Sequence, residues 1–214
     1  MLFRSGSVTI GAAVPANKVY SHPAVVAGYA GIIDSASIVG GIAIQGRASL
    51  GGNLCNSAPS GDTIPSLAAA GAIAIIAGPS GRREVPVGEF CTGPGQNCLM
   101  PNELLVAIRL PAPKPRSGGH YLRFIPRNEM DIAVAGAGAW VALDEHGVVT
   151  EARVVLASVA PVPLAVPEAA AAVVGTHGDE AALEAASAAA KAAARPITRS
   201  EEHTSELQSQ STIS

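Results

Sequence analysis

Aromatic and charged residues are scarce in this 214-residue chain. Aromatic side chains make up 3% of the residues and charged ones 14%, and the net charge is −3. A hydrophobic core must therefore be built from Val, Ile, Leu and Ala. Because Lys and Arg are not in excess and no basic stripe is visible in the sequence, nucleic acid is not an expected partner. The length allows one large domain or two small ones.

Long apolar runs are also missing. The two longest, residues 66–78 and 132–143, are shorter than the ~20 residues that a membrane helix needs, so no membrane span is expected. Residues 1–5 lack the apolar region of a secretory signal. These features favour a cytoplasmic protein.

Cysteine and histidine are few and scattered. Cys55, Cys91 and Cys98 form no C-x-x-C pair, and they offer fewer ligands than a structural zinc or iron–sulfur site requires. An odd number of cysteines also argues against a disulfide framework. We therefore predict small, partly buried thiols and no metal site.

Both ends of the chain look foreign to the rest. Residues 2–5 and 199–209 resemble translated sequencing-library adapters. We therefore leave residues 1–5 and 199–214 out of the fold prediction and expect an internal piece of a longer protein. A natural polar tail is the alternative for the C-terminal end. In either case too few apolar residues are present for it to pack, so we expect disorder.

The most informative segment is a glycine-rich run at residues 47–65. It contains Ser49-Leu50-Gly51-Gly52-Asn53, followed by Asn56 and Asp62. We predict a compact loop in which glycine amides, free of side chains, approach a bulky anion. The spacing fits neither a P-loop nor the G-x-G-x-x-G turn of a Rossmann unit.

Periodicity and turn residues predict the remaining elements. Strands are predicted at 8–13, 72–77, 83–87, 104–110, 121–125, 132–143 and 148–157, and helices at 22–37, 64–70, 166–174 and 179–194. Asp62 or Thr63 is predicted to cap the helix at 64–70. The Pro- and Gly-rich residues 111–119 are predicted to link two domains.

The glycine-rich run and several later segments, taken in order, resemble one family. These segments are residues 78–95, 104–111, 127–133 and 157–163. The chain resembles the FAD-binding medium subunit of molybdenum hydroxylases, the xanthine dehydrogenase and carbon monoxide dehydrogenase flavoprotein family. The resemblance covers residues 6–198 and implies an α+β fold. It places a PCMH-type FAD-binding domain, truncated at its N-terminus, at 6–113 and a smaller domain of antiparallel sheet plus helices at 118–198. The family's first flavin loop, Ala-Gly-Gly-Thr, is expected upstream of this sequence.

The resemblance also implies FAD as the cofactor and suggests which residues contact it. Asp62 would accept hydrogen bonds from ribityl or ribose hydroxyls, with a helix cap as the alternative. Leu105 would lie against the flavin ring, or be a simple core leucine. Arg123 would be a cation near the cofactor, or a solvated charge. The full set of expected contacts is Ser49, Leu50, Gly51, Gly52, Asn53, Asn56, Asp62, Leu105 and Arg123. No catalytic residue is expected, and Arg127 with Asp131 is predicted to form a local ion pair.

The function implied by the resemblance is electron transfer. The intact protein would be an oxidoreductase subunit that passes electrons from an iron–sulfur subunit to an external acceptor. Its partners would be a molybdopterin-binding large subunit and a 2Fe–2S small subunit, and the present chain alone is expected to be inactive. Two alternatives stay open. One is a flavoprotein like the UDP-sugar reductases, and the other is a cofactor-free docking fragment.

Overall fold

A five-stranded antiparallel sheet forms the base of the N-terminal half. This computed structural model describes residues 2–4, 6–127 and 130–197. The strand order is β1-β2-β7-β3-β4, with β1 Leu2–Arg4, β2 Ser7–Gly11, β3 Ile73–Gly78, β4 Gly81–Pro86 and β7 Leu104–Leu110. A short hairpin, β5 Cys91–Gly93 and β6 Gln96–Asn97, lies between β4 and β7. The backbone of residues 2–4, which we had left out of the fold, pairs with β2.

Within the described residues between β2 and β3 lie six short helices. They are α1 Ala16–Tyr20, α2 Pro23–Val26, α3 Ala30–Ala36, α4 Ile42–Gln45, α5 Leu50–Asn56 and α6 Thr63–Ala69. Buried residues of five of them, all but α4, pack in one core with the sheet. The single helix predicted at 22–37 is broken into α2 and α3. The break falls at Gly28, a poor helix former, and at Tyr29, whose hydroxyl donates to the carbonyl of Pro111 at 2.7 Å. The core under the helices is built from aliphatic residues, including the fully buried Ile10, Leu54, Ile76 and Ile108.

Within residues 117–193, a four-stranded antiparallel sheet with two helices forms the C-terminal half. The order is β11-β10-β9-β8, with β8 Ser117–Phe124, β9 Ala135–Leu143, β10 Val149–Ala157 and β11 Leu164–Ala165, followed by α7 Pro167–Val173 and α8 Glu180–Ala193. The predicted β9–β10 hairpin is confirmed, as are both helices. The linker is shorter than predicted, because β8 already begins at Ser117. Among the described residues, no helix is both long and apolar enough to span a bilayer.

At two points the halves are in contact through backbone atoms with no side chain between them. A Cβ added at Gly138 of β9 would lie 2.7 Å from the carbonyl carbon of Pro65 in the first turn of α6. A Cβ added at Gly31 of α3 would lie 3.2 Å from the backbone of Gly119 in β8. Two helices of the first half therefore rest directly on the second sheet. This contact places the start of α6 over strands β8 and β9.

Candidate functional site

The glycine-rich segment is a helix, not the loop that we predicted. Ser49 is the N-cap of α5, and its Oγ accepts a hydrogen bond from the amide of Gly52 at 3.0 Å. The amide of Gly51 donates to the carbonyl of Ala12 at 3.2 Å, and that of Asn53 donates to the carbonyl of Ser49 at 3.0 Å. The chain itself therefore uses the three amides that were expected to face an anion. A favourable serine cap and burial of the helix outweigh the poor helix propensity of glycine.

The two adjacent glycines have different roles. A Cβ at Gly51 would lie 2.4 Å from the carbonyl oxygen of Ala12, so only glycine allows this approach. Gly52 is exposed, and a Cβ there would meet only Ser49 Oγ, at 3.1 Å. Asn56 is exposed as well, whereas Leu50 is 1% exposed and packs in the core. We define the exposed face of α5 by Gly52, Asn53 and Asn56. At Gly52 this face offers bare backbone to a ligand.

Asn53 connects this face to the start of the next helix. Its Oδ1 accepts hydrogen bonds from the amide of Thr63 at 3.2 Å and from its hydroxyl at 2.6 Å. Asn53 therefore caps α6. The predicted side-chain cap from Asp62 is wrong, since the Asp62 carboxylate makes no hydrogen bond to the helix backbone. The cap leaves Asp62 free to turn towards β8.

Asp62 forms a buried ion pair with Arg123 of β8 in the C-terminal half. Arg123 Nη1 donates to Asp62 Oδ2 at 2.8 Å, and the hydroxyl of Tyr121 donates to Asp62 Oδ1 at 2.9 Å. The side chains of Arg123 and Asp62 are only 10% and 12% exposed, so the alternative of a solvated strand charge at Arg123 is wrong. Burial raises the pKa of the Asp62 carboxyl, and the charge of Arg123 and the hydrogen bond from Tyr121 oppose that rise.

Tyr121 was missed at the sequence level. It stands two residues before Arg123 on β8, so both side chains lie on the same face of the strand. This two-residue spacing is the sequence signal from which Tyr121 could have been added to the candidate site. Burial and the neighbouring Asp62 charge raise the pKa of the Tyr121 hydroxyl, which therefore stays protonated and donates.

Leu105 lies apart from this cluster, in the core of the N-terminal half. It is 9% exposed and pairs opposite Ile76 on β3. Its contact with a flavin ring stays a prediction, as do the contacts of the other residues in the expected set. The predicted Arg127–Asp131 ion pair is present, with Nε and Oδ2 3.2 Å apart.

The three cysteines gather between α5 and the β5–β6 hairpin as free thiols. Burial is the main reason that the pKa values of Cys55 and Cys91 are raised. In the part of the chain that the structure describes, no group of His, Cys, Asp and Glu side chains could hold a metal ion.

Two family models match the chain one after the other. The FAD-binding domain in molybdopterin dehydrogenase matches residues 3–113, about half of the chain. The C-terminal domain of the carbon monoxide dehydrogenase flavoprotein matches residues 120–210. The second match extends into the C-terminal tail, which lies outside the described residues.

Individual proteins agree with these matches. The xanthine dehydrogenase FAD-binding subunit of Escherichia coli O157:H7 is 33% identical over 164 residues, which is 76% of this chain and 56% of that protein. The medium chain of carbon monoxide dehydrogenase from Hydrogenophaga pseudoflava is 32% identical over 158 residues, 74% of this chain and 54% of that protein. This chain thus spans a little over half the length of both relatives.

A solved structure shares the fold. It is the carbon monoxide dehydrogenase from Hydrogenophaga pseudoflava that lacks the Mo-pyranopterin moiety of its molybdenum cofactor. The likeness has a TM-score of 0.87 at 30% identity and covers 92% of this chain and 68% of that one. The predicted α+β fold is confirmed. The chain belongs to the family of FAD-binding domains of molybdopterin dehydrogenases, and it carries the C-terminal domain of the carbon monoxide dehydrogenase flavoprotein.

Proposed function

We propose that this chain binds FAD and is the electron-transfer flavoprotein subunit of an oxidoreductase of the molybdenum hydroxylase type. The observation that carries the proposal is the order of the two family matches, an FAD-binding domain followed by the flavoprotein C-terminal domain in one chain. The redox chemistry belongs to FAD, and the protein supplies binding, orientation and electrostatics. Electrons would arrive from an iron–sulfur partner and leave to an external acceptor.

The proposed FAD site lies where α5, α6 and β8 meet. The exposed face of α5 supplies bare backbone at Gly52, which suits close approach of a diphosphate or a flat ring. Asp62 supplies a carboxylate that accepts hydrogen bonds from sugar hydroxyls, and Arg123 supplies a positive charge beside it. Ser49 and Asn53 cap the N-termini of α5 and α6, respectively, and so fix where the two helices begin.

Three residues of the expected set have a packing role. Leu50, Gly51 and Leu105 are buried, and they fix α5 and β7 behind the exposed face. We keep them as members of the proposed site because they set the position of its surface. We therefore expect substitutions at these three residues to weaken FAD binding together with the stability of the fold.

The proposed partners are a molybdopterin-binding large subunit and a 2Fe–2S small subunit. Relatives named as subunits or chains of xanthine and carbon monoxide dehydrogenases support this assignment. We also propose a cytoplasmic location, which the three free thiols support because reducing compartments keep cysteines unpaired. Co-expression with the two subunits and affinity purification tests the assembly, and cell fractionation tests the location.

An FAD titration tests the proposed function. The chain is titrated while quenching of flavin fluorescence and the absorbance of retained flavin are measured. The titration is repeated on a version of the chain that is extended at its N-terminus to the length of its relatives. Saturable binding by either form supports the proposal. Absence of binding by both forms overturns it in favour of the cofactor-free docking fragment, an alternative consistent with amides of α5 that already have partners within the chain.

A further inference from the structure

The two carboxylate oxygens of Asp62 have different partners. Tyr121 donates to Oδ1 at 2.9 Å, and Arg123 donates to Oδ2 at 2.8 Å. Asp62 lies directly before α6 in the N-terminal half, whereas both donors lie on β8 in the C-terminal half. The orientation of this carboxylate therefore depends on both halves at once.

Tyr121 is too deeply buried to touch a ligand on the exposed face of α5. It is 3% exposed, and a Cβ at Gly136 of β9 would lie 2.5 Å from its hydroxyl oxygen. Behind the ring, the amide of Tyr121 donates to Asp34 Oδ2 of α3 at 3.1 Å. Gly136 gives the ring its space, and Asp34 fixes the backbone that carries it. The hydroxyl is thus held in place from two sides, with its hydrogen bond directed at Asp62.

We propose that Tyr121 is a positioning residue of the FAD site, which fixes the orientation of the Asp62 carboxylate beside Arg123. This inference rests on the proposed function, because it assigns Tyr121 a role towards FAD through Asp62. Arg123 alone neutralises the charge but, among the described residues, leaves Oδ1 without a donor. The second hydrogen bond stops the carboxylate from rotating about its Cβ–Cγ bond.

Electrostatics give the proposal a measurable signature. Burial raises the pKa of Asp62, while Arg123 and the Tyr121 hydrogen bond lower it. Removing the hydroxyl removes a hydrogen bond that favours the ionised form, so the pKa of Asp62 should rise further. The titratable groups that face Asp62 are Tyr121 and Arg123 on β8, with Asp34 of α3 behind Tyr121.

The charged groups of the other neighbouring elements have partners away from Asp62. Strand β9 carries no titratable side chain. Strand β10, which also packs against α6, carries Glu151 and Arg153. Glu151 pairs with Lys114, and Arg153 Nε donates to the carbonyl of Ala69 at the opposite end of α6 from Asp62. Helix α5 brings only the Cys55 thiol, which interacts with the thiols of Cys91 and Cys98. A change in the titration of Asp62 can therefore be traced to Tyr121.

The test compares Tyr121→Phe with Tyr29→Phe. Both changes delete one buried phenol hydroxyl, but the Tyr29 hydroxyl donates to the carbonyl of Pro111, away from Asp62. The dissociation constant for FAD is measured from pH 4 to 8 on whichever form binds FAD, and carbon-13 NMR follows the Asp62 carboxyl in the same protein without FAD. We expect Tyr121→Phe to weaken FAD binding about tenfold or more. The midpoint of its pH profile and the Asp62 titration should both move up by about half a pH unit or more. Tyr29→Phe should change neither.

Several results would overturn the inference. If wild type binds FAD and Tyr121→Phe keeps the same pH midpoint, Tyr121 does not act through Asp62, while the proposed function stands. A uniform loss of affinity at every pH would indicate a merely structural role. If wild type binds no FAD, the proposed function fails as well. Should Tyr121→Phe not fold, Gly136→Ala keeps the hydroxyl but crowds it, and an unchanged Asp62 titration in that variant would reject the inference.

Discussion

The contrast between Gly51 and Gly52 gives the sharpest test of the candidate site. In Gly51→Ala, the new methyl would lie 2.4 Å from the carbonyl oxygen of Ala12 and 2.6 Å from its Cβ. Overpacking of this kind costs about 1–3 kcal/mol. Because α5 must move away, the hydrogen bond from Gly51 to Ala12 also weakens, which adds about 1 kcal/mol. We expect a total loss of roughly 2–4 kcal/mol in the free energy of unfolding.

The same substitution one residue later should have little effect on stability. In Gly52→Ala, the methyl meets only Ser49 Oγ, at 3.1 Å. Better helix propensity gains up to about 1 kcal/mol, and a weakened serine cap offsets part of it, so the net change stays within about 1 kcal/mol of zero. Urea unfolding followed by circular dichroism measures both variants. Equal destabilisation would refute the packing argument for Gly51.

Gly52→Val extends this test from stability to binding. The branched side chain would stand on the exposed face of α5 and block approach of FAD to the backbone. We expect a folded protein that no longer binds FAD in the titration described above. If flavin affinity in this variant matched that of wild type, the exposed face of α5 would not be the FAD site.

Three further predictions concern stability. Ser158 has a φ of +68°, and its buried hydroxyl has no hydrogen-bond partner among the described residues. Ser158→Gly should therefore stabilise the protein by about 1 kcal/mol in urea unfolding, and a loss would contradict the strain argument. The paired guanidinium of Arg83 lowers the pKa of Glu103 to about 2. The contribution of this ion pair to the free energy of unfolding is therefore present above the unfolded pKa of about 4.3, and it is lost as the pH falls towards 2. The stability gap between wild type and Glu103→Gln should close over that window, and a constant gap would refute the pairing. Asn53→Ala should cost about 1 kcal/mol through the lost α6 cap, and an unchanged unfolding midpoint would reject that role.

Much of the fold was predictable because local signals and packing agree. The strand predicted at 104–110 matches β7, since an apolar run ends there at a proline. The hairpin of β9 and β10 was predictable from the Asp and Gly of its turn. In these segments no competing interaction opposes the local preference.

The glycine-rich segment was mispredicted because tertiary packing outweighs propensity. Leu50 and Leu54, four residues apart on α5, are both buried, and Ser49 caps the helix. This burial stabilises a seven-residue helix that would not persist alone. The hydrogen bond between Tyr121 and Asp62 could not be predicted from local sequence signals, because the two residues are 59 positions apart in sequence. Only the docking of α6 onto β8 and β9 brings them together.

The backbone contacts at Gly31 and Gly138 have a consequence for motion. With no side chains between helix and sheet at these points, little room remains for the two halves to rock against each other. Calorimetry should then record a single melting peak for the whole molecule rather than one for each half. A larger rearrangement of the molecule would have to occur elsewhere, because the joint between the halves is too tightly packed to act as a hinge.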